Sequence, residues 1–460
     1  MRVLLLNDTR ADENPGCQAT VASLISELSR LTPGEIATRP RGDGYEYFTG
    51  LVADGNAGSR DRWHDAVRRF ALDSDLPDAL RNADLVVANL EGTFHHHTVG
   101  ALALGGAMAI AHQMGKRVWA VNGSVEAIEP WLLAATLAPA ERIAVREPVS
   151  RRWLASQGLD ARPAADCAFL FDAFTSGRDR RDAHLRTALY TPGVLASLGH
   201  ASCSPGAVLE HFALLDAHGW KPTLFLMADA EDPLARAVKQ AGWAVEDNRA
   251  VRWQDFGSFL QQFGLVISGR YHVLIFAAMA GVPAVALPSN TWKIDGLIEL
   301  LDNQIAHATD PLQLATILRH TPPQPVDASV IRACQSAARM KLTTFSAGKG
   351  QARFLKFRTA LFGASSLGQR VATRLKSHRH VEVTGFLDND ASKWGQRRGD
   401  LPIAQPTQET LAAADHIVIT SVHAVQIRDQ VIEAGFGHKL TELAALERLE
   451  VKEVPPRPIS

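Results

Sequence analysis

The segment "ISGRYHVLIFAAMAGVPAVALPSNTWKIDG", residues 267–296, places Arg270 and His272 just past an apolar strand. Lys293 and Asp295 follow the next strand. These residue types suit an anion that must exchange a proton. A guanidinium offers a planar fork to phosphate or carboxylate, and an imidazole gives or takes a proton near neutral pH. The stretch "YHVLIFAAMAG" reads as a buried helix, apolar nearly all round. Its N-terminal N–H groups and positive dipole end favour an anion as well. Taken singly, these residues have ordinary readings: a surface Arg, a helix-capping His, a solvated Lys. Three polar groups bracketing one apolar βαβ edge favour a site.

The elements that must position them alternate from the first residue. "RVLLLN", "ADLVVANLEG" and "KRVWAVNGS" read as strands, with "CQATVASLISELSR" and "GALALGGAMAIAHQMG" as helices between them. "ERIAVREPVSRRWLASQG" adds a strand and a helix whose N-cap region lies around Pro148 to Ser150. Such alternation predicts a parallel sheet with helices on both faces. After the charged, irregular "DCAFLFDAFTSGRDRRDAH" the pattern restarts with "KPTLFLMADAEDPLARAVKQAGW" and "FGLVISGRYHVLIFAAMAGVPAVALPS". Two doubly wound units in succession enclose a cleft at the carboxyl ends of their strands. Pro-rich "RHTPPQPVDAS" and Gly/Lys-rich "SAGKGQARFLK" suggest a boundary near residue 350, followed by a third unit. The fold class expected is therefore α/β: two doubly wound Rossmann-like domains plus a third, C-terminal Rossmann-like domain. The domains are expected at residues 1–165, 166–350 and 351–452, with a frayed tail at 453–460.

Composition narrows the partners. Lys plus Arg is 48 against 49 Asp plus Glu, so the whole molecule has no polyanion-binding field and nucleic acid is not expected. Cys17, Cys167, Cys203 and Cys334 are scattered without metal-ligand spacing and read as thiols of a reducing cytosol. The triplet His95 to His97 points in different directions on extended backbone, so no metal is expected there; one of the three could line an acceptor pocket. No apolar run reaches the roughly 20 residues needed to span a bilayer, and "MRVLLLNDTR" is too short for a signal-peptide core. A cytoplasmic location is expected.

The motif "SGRYHVLIFAAMAGVPAVAL", with "WKIDG" after it, resembles the signature of the polysaccharide pyruvyl transferase family: Ser-x-Arg-x-His, a small-residue helix, Gly-x-Pro and a later Lys-x-x-Gly. In the same order, "LNDTRADENPGCQAT" resembles the family's first loop, with Asn14 and Gly16 in its Asn-x-Gly turn. "VVANLEGTFHH" resembles its Gly-Glu-Gly strand end, with Leu90 departing at the first Gly. "IAVREPVSRRWL" resembles its Val-Arg-Asp/Glu-x-x-Ser segment. The likeness covers roughly residues 1 to 300. It implies a GT-B-like arrangement of the first two Rossmann-like domains, and transfer of pyruvate from phosphoenolpyruvate onto a sugar as a ketal with no cofactor required. By that likeness Arg270 holds the donor's anionic groups, and Arg146 is a second clamp from the opposite domain. His272 shuttles the proton. Glu91 is a hydroxyl-orienting group or base, or else a helix-capping carboxylate. Lys293 meets phosphate or is solvated. Gly16 lets the first loop approach a ligand or simply makes a turn.

The third unit, "ALFGASSLGQRVATRL" then "VEVTGFLDND", resembles the N-terminal domain of some sugar acyltransferases. Gly363 and Gly368 occupy the outer positions of G-x-G-x-x-G, Ser365 replaces the middle glycine, and Asp388 stands where a ribose-binding carboxylate would. A nucleotide, or a scaffold or dimerisation role without ligand, are both open readings. A GT-B glycosyltransferase using a nucleotide sugar and a non-catalytic subunit of a glycan assembly complex are the rival functions. The acceptor is expected to be a glycan or lipid-linked sugar, which leaves peripheral membrane association and homo-oligomerisation open.

Overall fold

A computed structural model of the 460-residue chain describes residues 1–12, 14–55, 57–171, 186–227, 231–247, 251–343, 357–376, 381–414, 416–436, 439–440 and 443. Part of the charged stretch after "DCAF", the expected boundary near 350 and the tail 453–460 lie outside them. The chain forms two compact units. One is Met1–Leu132, Pro139–Trp153 and Ala161–Gly348; the other is Leu133–Ala138, Leu154–Asp160 and Lys349–Ser460.

The first unit contains two six-stranded parallel sheets. One runs in the order β2-β1-β3-β4-β5-β6, from β1 (Val3–Asp8), β2 (Ile36–Pro40), β3 (Leu85–Asn89), β4 (Arg117–Gly123), β5 (Arg142–Val145) and β6 (Arg162–Pro163). The other runs β12-β11-β10-β7-β8-β9, from β7 (Thr187–Thr191), β8 (Lys221–Leu226), β9 (Ala244–Asp247), β10 (Leu265–Ser268), β11 (Ala284–Ala286) and β12 (Ala306–His307). In each the strand order reverses once, between β1 and β3 and between β7 and β10. Ligands of open parallel sheets bind at such reversals. The α/β, doubly wound reading of both halves holds. Sequence patterning missed β2 and the helices between residues 45 and 82, where charged residues interrupt the apolar periodicity.

Helix α1 (Pro15–Leu31) ties the two halves together. Val21, Leu24 and Leu28 enter the core over the first sheet, whereas Ala19 enters the core built on the second. The helix Ala328–Thr343 returns Leu342 to the first core, while its Cys334 and Ala338 stay in the second. Burial of these apolar surfaces, at about 25 cal/mol per Å², holds the halves as one unit.

The strand ends of the first sheet are pinned by a ladder of buried asparagines. Asn7 Nδ2 donates to Asn89 O at 2.7 Å, Asn89 Nδ2 donates to Asn7 O at 3.3 Å, and Asn122 Nδ2 donates to Asn89 Oδ1 at 3.2 Å. Asn122 Oδ1 accepts from Cys167 N at 2.9 Å. Asn7 and Asn122 both have φ of 63°, where the strand pairing shifts register. Asparagine tolerates that left-handed geometry better than most residues.

The second unit holds a five-stranded sheet, β15-β16-β14-β13-β17, from β13 (Phe357–Phe362), β14 (Val381–Leu387), β15 (Arg397–Arg398), β16 (Leu401–Ala404) and β17 (His416–Ile419). Its pairs are parallel except the short β15–β16 edge. No helix among the described residues is long and apolar enough to cross a membrane.

Replacing Asn122 with Ala removes both ladder bonds and puts a less tolerant residue at positive φ. Urea unfolding should show a loss of about 1–3 kcal/mol.

Candidate active site

The switch points of both sheets supply the site. Past β10, Gly269 packs between the Pro192 and Pro288 carbonyls, where an added Cβ would lie 2.8 and 2.9 Å from them. Only glycine allows the strand to turn there into the helix Tyr271–Met279. Arg270 is the N-cap and His272 the second helical residue, as the pattern predicted. On the other sheet, α1 begins after Asn14, whose Oδ1 accepts from Gly16 N at 2.9 Å.

Gly16 makes a close approach, but the group it approaches is His272. A Cβ on Gly16 would lie 2.2 Å from His272 Cβ and 2.5 Å from its Nδ1. The glycine therefore lets an element of the first sheet lie directly on the imidazole from the second.

Three oxygen-bearing side chains stand around the ring. His272 Nε2 lies 3.3 Å from Thr20 Oγ1, 3.5 Å from Asp166 Oδ2 and 4.0 Å from Glu91 Oε1. Asp166, which sequence reasoning did not single out, is fully buried. It accepts from Thr20 Oγ1 at 2.9 Å, Ala168 N at 2.7 Å and Arg146 Nη1 at 2.8 Å. It falls in an apolar run with no spacing signal to mark it. Glu91 has φ of 42°, an uncommon conformation for this residue type. Its Oε2 accepts from Thr9 Oγ1 at 3.1 Å, so the carboxylate faces the cluster and caps no helix.

Arg146 is not an outward-facing clamp. Its side chain is 1% exposed, and its guanidinium pairs with Asp166 and lies 4.2 Å above the Tyr271 ring, while Nε donates to Ser124 Oγ at 2.9 Å. Burial alone would lower its pKa, but Tyr271, Asp166 and Glu91 together raise it. A Cβ on Gly92 would lie in ordinary contact with Nη2, at 3.5 Å. Arg270 is partly buried and paired with Glu231, whose Oε2 also accepts from Met227 N at 2.7 Å.

Lys293, the first residue of the helix Lys293–Leu300, is 8% exposed and therefore not solvated. Its Nζ donates to Asn290 Oδ1 at 2.9 Å. Burial, and then the charges of Arg146 and Arg270, lower its pKa to about 7. Lys293 in turn helps burial to push His95 down to about 4. Contrary to the expectation of divergent side chains on extended backbone, His96 and His97 have φ of 49° and 46°, and His95 Nδ1 lies 3.1 Å from His96 Nδ1. His96 also lies 3.7 Å from Glu126, while His97 Nε2 accepts from Glu129 N at 2.9 Å.

Ligand atoms of Cys17, Glu91 and His272 lie within 4.8 Å of one another, a donor set that spacing along the chain could not disclose. Zinc uses such donors; burial and then Glu91 raise the pKa of the Cys17 thiol, which a bound cation would have to reverse.

In the second unit, Gly363 has φ of 121°, and Gly368 packs so tightly that a Cβ would lie 2.3 Å from Gly363 O. Ser365 Oγ accepts from Gly368 N at 3.1 Å and so caps its own helix. Asp388 accepts from Ala364 N at 2.8 Å and from Lys393 Nζ at 3.1 Å, and a ribose hydroxyl would have to compete with both.

Residues 14–291 match the family model described as polysaccharide pyruvyl transferase, and residues 355–439 match one described as C2185-like, N-terminal. The chain belongs to the polysaccharide pyruvyl transferase family, which makes it a glycan-modifying transferase. A comparison with curated proteins found no match. Similar solved structures include a UDP-N-acetylglucosamine 2-epimerase from Rickettsia bellii, at 12% identity and TM-score 0.48, covering 74% of this chain and 94% of that one. The Methanocaldococcus jannaschii UDP-GlcNAc 2-epimerase has 11% identity and TM-score 0.47, covering 74% and 98%. A spinosyn rhamnosyltransferase complexed with thymidine diphosphate has 15% identity and TM-score 0.40, covering 74% and 96%.

Lys293 also sets a stability test. The unfolded lysine titrates near 10.5 and the folded one at about 7, so below 10.5 the unfolded state binds the extra proton more readily. The resulting cost to the fold is complete below about 7 and vanishes above 10.5. Lys293→Met should raise the melting temperature at pH 7 by several degrees, with the gain shrinking as pH rises.

Proposed function

We propose that this protein transfers pyruvate from phosphoenolpyruvate onto a sugar as a ketal. The observation that carries the reading is the buried Lys293, held near a pKa of 7 by burial and by two guanidinium groups. Cations crowded out of water at such a cost call for a multiply charged anion, and this donor carries both a phosphate and a carboxylate. Arg270 and Lys293 grip the donor. Arg146, buried against Asp166 and Tyr271, adds its charge from behind.

His272 then delivers a proton to the methylene carbon of the donor, leaving cationic character at C2. Glu91 and Asp166 stabilise the imidazolium before it gives up that proton. A sugar hydroxyl bonds to C2 and its proton returns to His272. The C2–O bond to phosphate breaks, and a second hydroxyl closes the ketal as its proton leaves with phosphate. One methyl group, one ketal and one phosphate result. The acceptor is a glycan or lipid-linked sugar bound on the side of the first sheet.

Incubating the protein with phosphoenolpyruvate and candidate glycans should release phosphate only when an acceptor is present. Dependence on a nucleotide sugar instead would favour the glycosyltransferase alternative, and no transfer with any donor would favour a non-catalytic subunit. His272→Ala should lower kcat by about 10²–10⁴-fold with a modest change in donor KM. Arg270→Ala should mainly raise that KM, by roughly 10–100-fold for a lost charge-assisted bond. Near-normal turnover in the His272 variant would remove it from the mechanism.

A further inference from the structure

The oxygens around His272 decide which ring nitrogen carries the hydrogen. Nε2 faces Thr20 Oγ1, Asp166 Oδ2 and Glu91 Oε1 at 3.3, 3.5 and 4.0 Å. The Thr20 hydroxyl hydrogen is spent on Asp166 Oδ1 at 2.9 Å, so toward the ring Thr20 offers a lone pair. Two carboxylates and that lone pair give an unprotonated Nε2 nothing to accept from. Opposed lone pairs in a buried site are costly, whereas an Nε2–H can donate to Thr20 Oγ1 and turns its positive end toward both carboxylates.

We infer that Thr20 and Asp166 hold neutral His272 as the Nε2–H tautomer, so that the proton exchanged in the reaction is carried by Nδ1, the edge lying against Gly16. The inference rests on His272 being the proton shuttle of the proposed reaction. A glycine at position 16 is required with either tautomer, because a Cβ there would lie 2.2 Å from His272 Cβ and 2.5 Å from Nδ1. Asp166 is thereby a positioning residue for two groups at once, because the oxygen facing Nε2 also accepts from Arg146 at 2.8 Å.

The groups packed around the ring are accounted for on each side. Cys17 and Thr20 come from α1, Glu91 follows β3, Arg146 follows β5, Asp166 precedes the 3-10 turn Cys167–Leu170, and Tyr271 adjoins the ring on its own helix. The Cys17 thiol has its pKa raised by burial and by Glu91, and it stays a neutral neighbour.

Long-range ¹⁵N NMR of the full chain labelled at histidine, with the His272 signal assigned by its loss in His272→Gln, reports the tautomer without any turnover. At alkaline pH the native protein should show Nε2–H. Thr20→Val should give a mixture of tautomers and lower kcat about 10-fold while leaving the donor KM nearly unchanged. Asp166→Asn should disturb the tautomer in the same way and raise the donor KM as well, because Arg146 loses its anchor. A native protein in the Nδ1–H form, or a tautomer unmoved in the folded Thr20→Val variant, overturns the inference. Should the Nε2–H form and its loss in Thr20→Val be observed in a protein inactive with phosphoenolpyruvate, the tautomer assignment holds and the reading of the reaction fails.

Discussion

The Arg146–Asp166 ion pair is buried completely, and a pair so placed persists only when each partner's other hydrogen-bonding groups are also satisfied. Asp166 meets that condition through Thr20 and the backbone of Ala168, Arg146 through Ser124 and the Tyr271 ring. Thr20 lies on the helix that follows β1, and Tyr271 and His272 lie on the helix that follows β10. The pair is therefore the point at which both halves of the unit are registered to one another. Removing one partner of a buried pair typically costs about 3–5 kcal/mol, because the remaining charge is left without compensation. Here it would also release the histidine and loosen the seam through which α1 enters the second core.

The same low-polarity setting accounts for the chemistry. Charges that water would screen act at full reach inside the seam, so Arg146 and Arg270 are felt at Lys293, and Lys293 is felt at His95. Glu91 and Asp166 carry the negative side of the balance, both facing His272 Nε2.

Much of this was legible from residue types. The apolar run ending in "SGRYH" could only be a buried strand turning into a buried helix, so Arg270 and His272 had to sit at a strand end. Lys293 was ambiguous because a single polar residue beyond the loop that follows a strand gives no measure of its burial. Gly16 was read as a point of close approach, and it is one, but toward another side chain instead of a ligand. Arg146 could be placed at a strand end, yet nothing local disclosed its depth or its partner. Asp166, Thr20 and the asparagine ladder left no trace, since each is one polar residue in an apolar stretch and acquires meaning only across sheets. Cys17 failed the spacing test for the same reason: its neighbours Glu91 and His272 lie 74 and 255 positions away. In the second unit the glycine pattern was visible, but that Ser365 caps its own helix depends on a geometry that spacing does not encode.

The central claim is that the seam protonates the methylene carbon of a three-carbon enol phosphate while its anionic groups are held by Arg270 and Lys293. It is tested most directly by running the reaction in deuterium oxide and weighing the product glycan. The account predicts a ketal whose methyl group carries a single solvent deuterium, formed together with one phosphate. A transferred pyruvyl group whose methyl carries no solvent deuterium, or a product that gains a sugar from a nucleotide donor in its place, would contradict it.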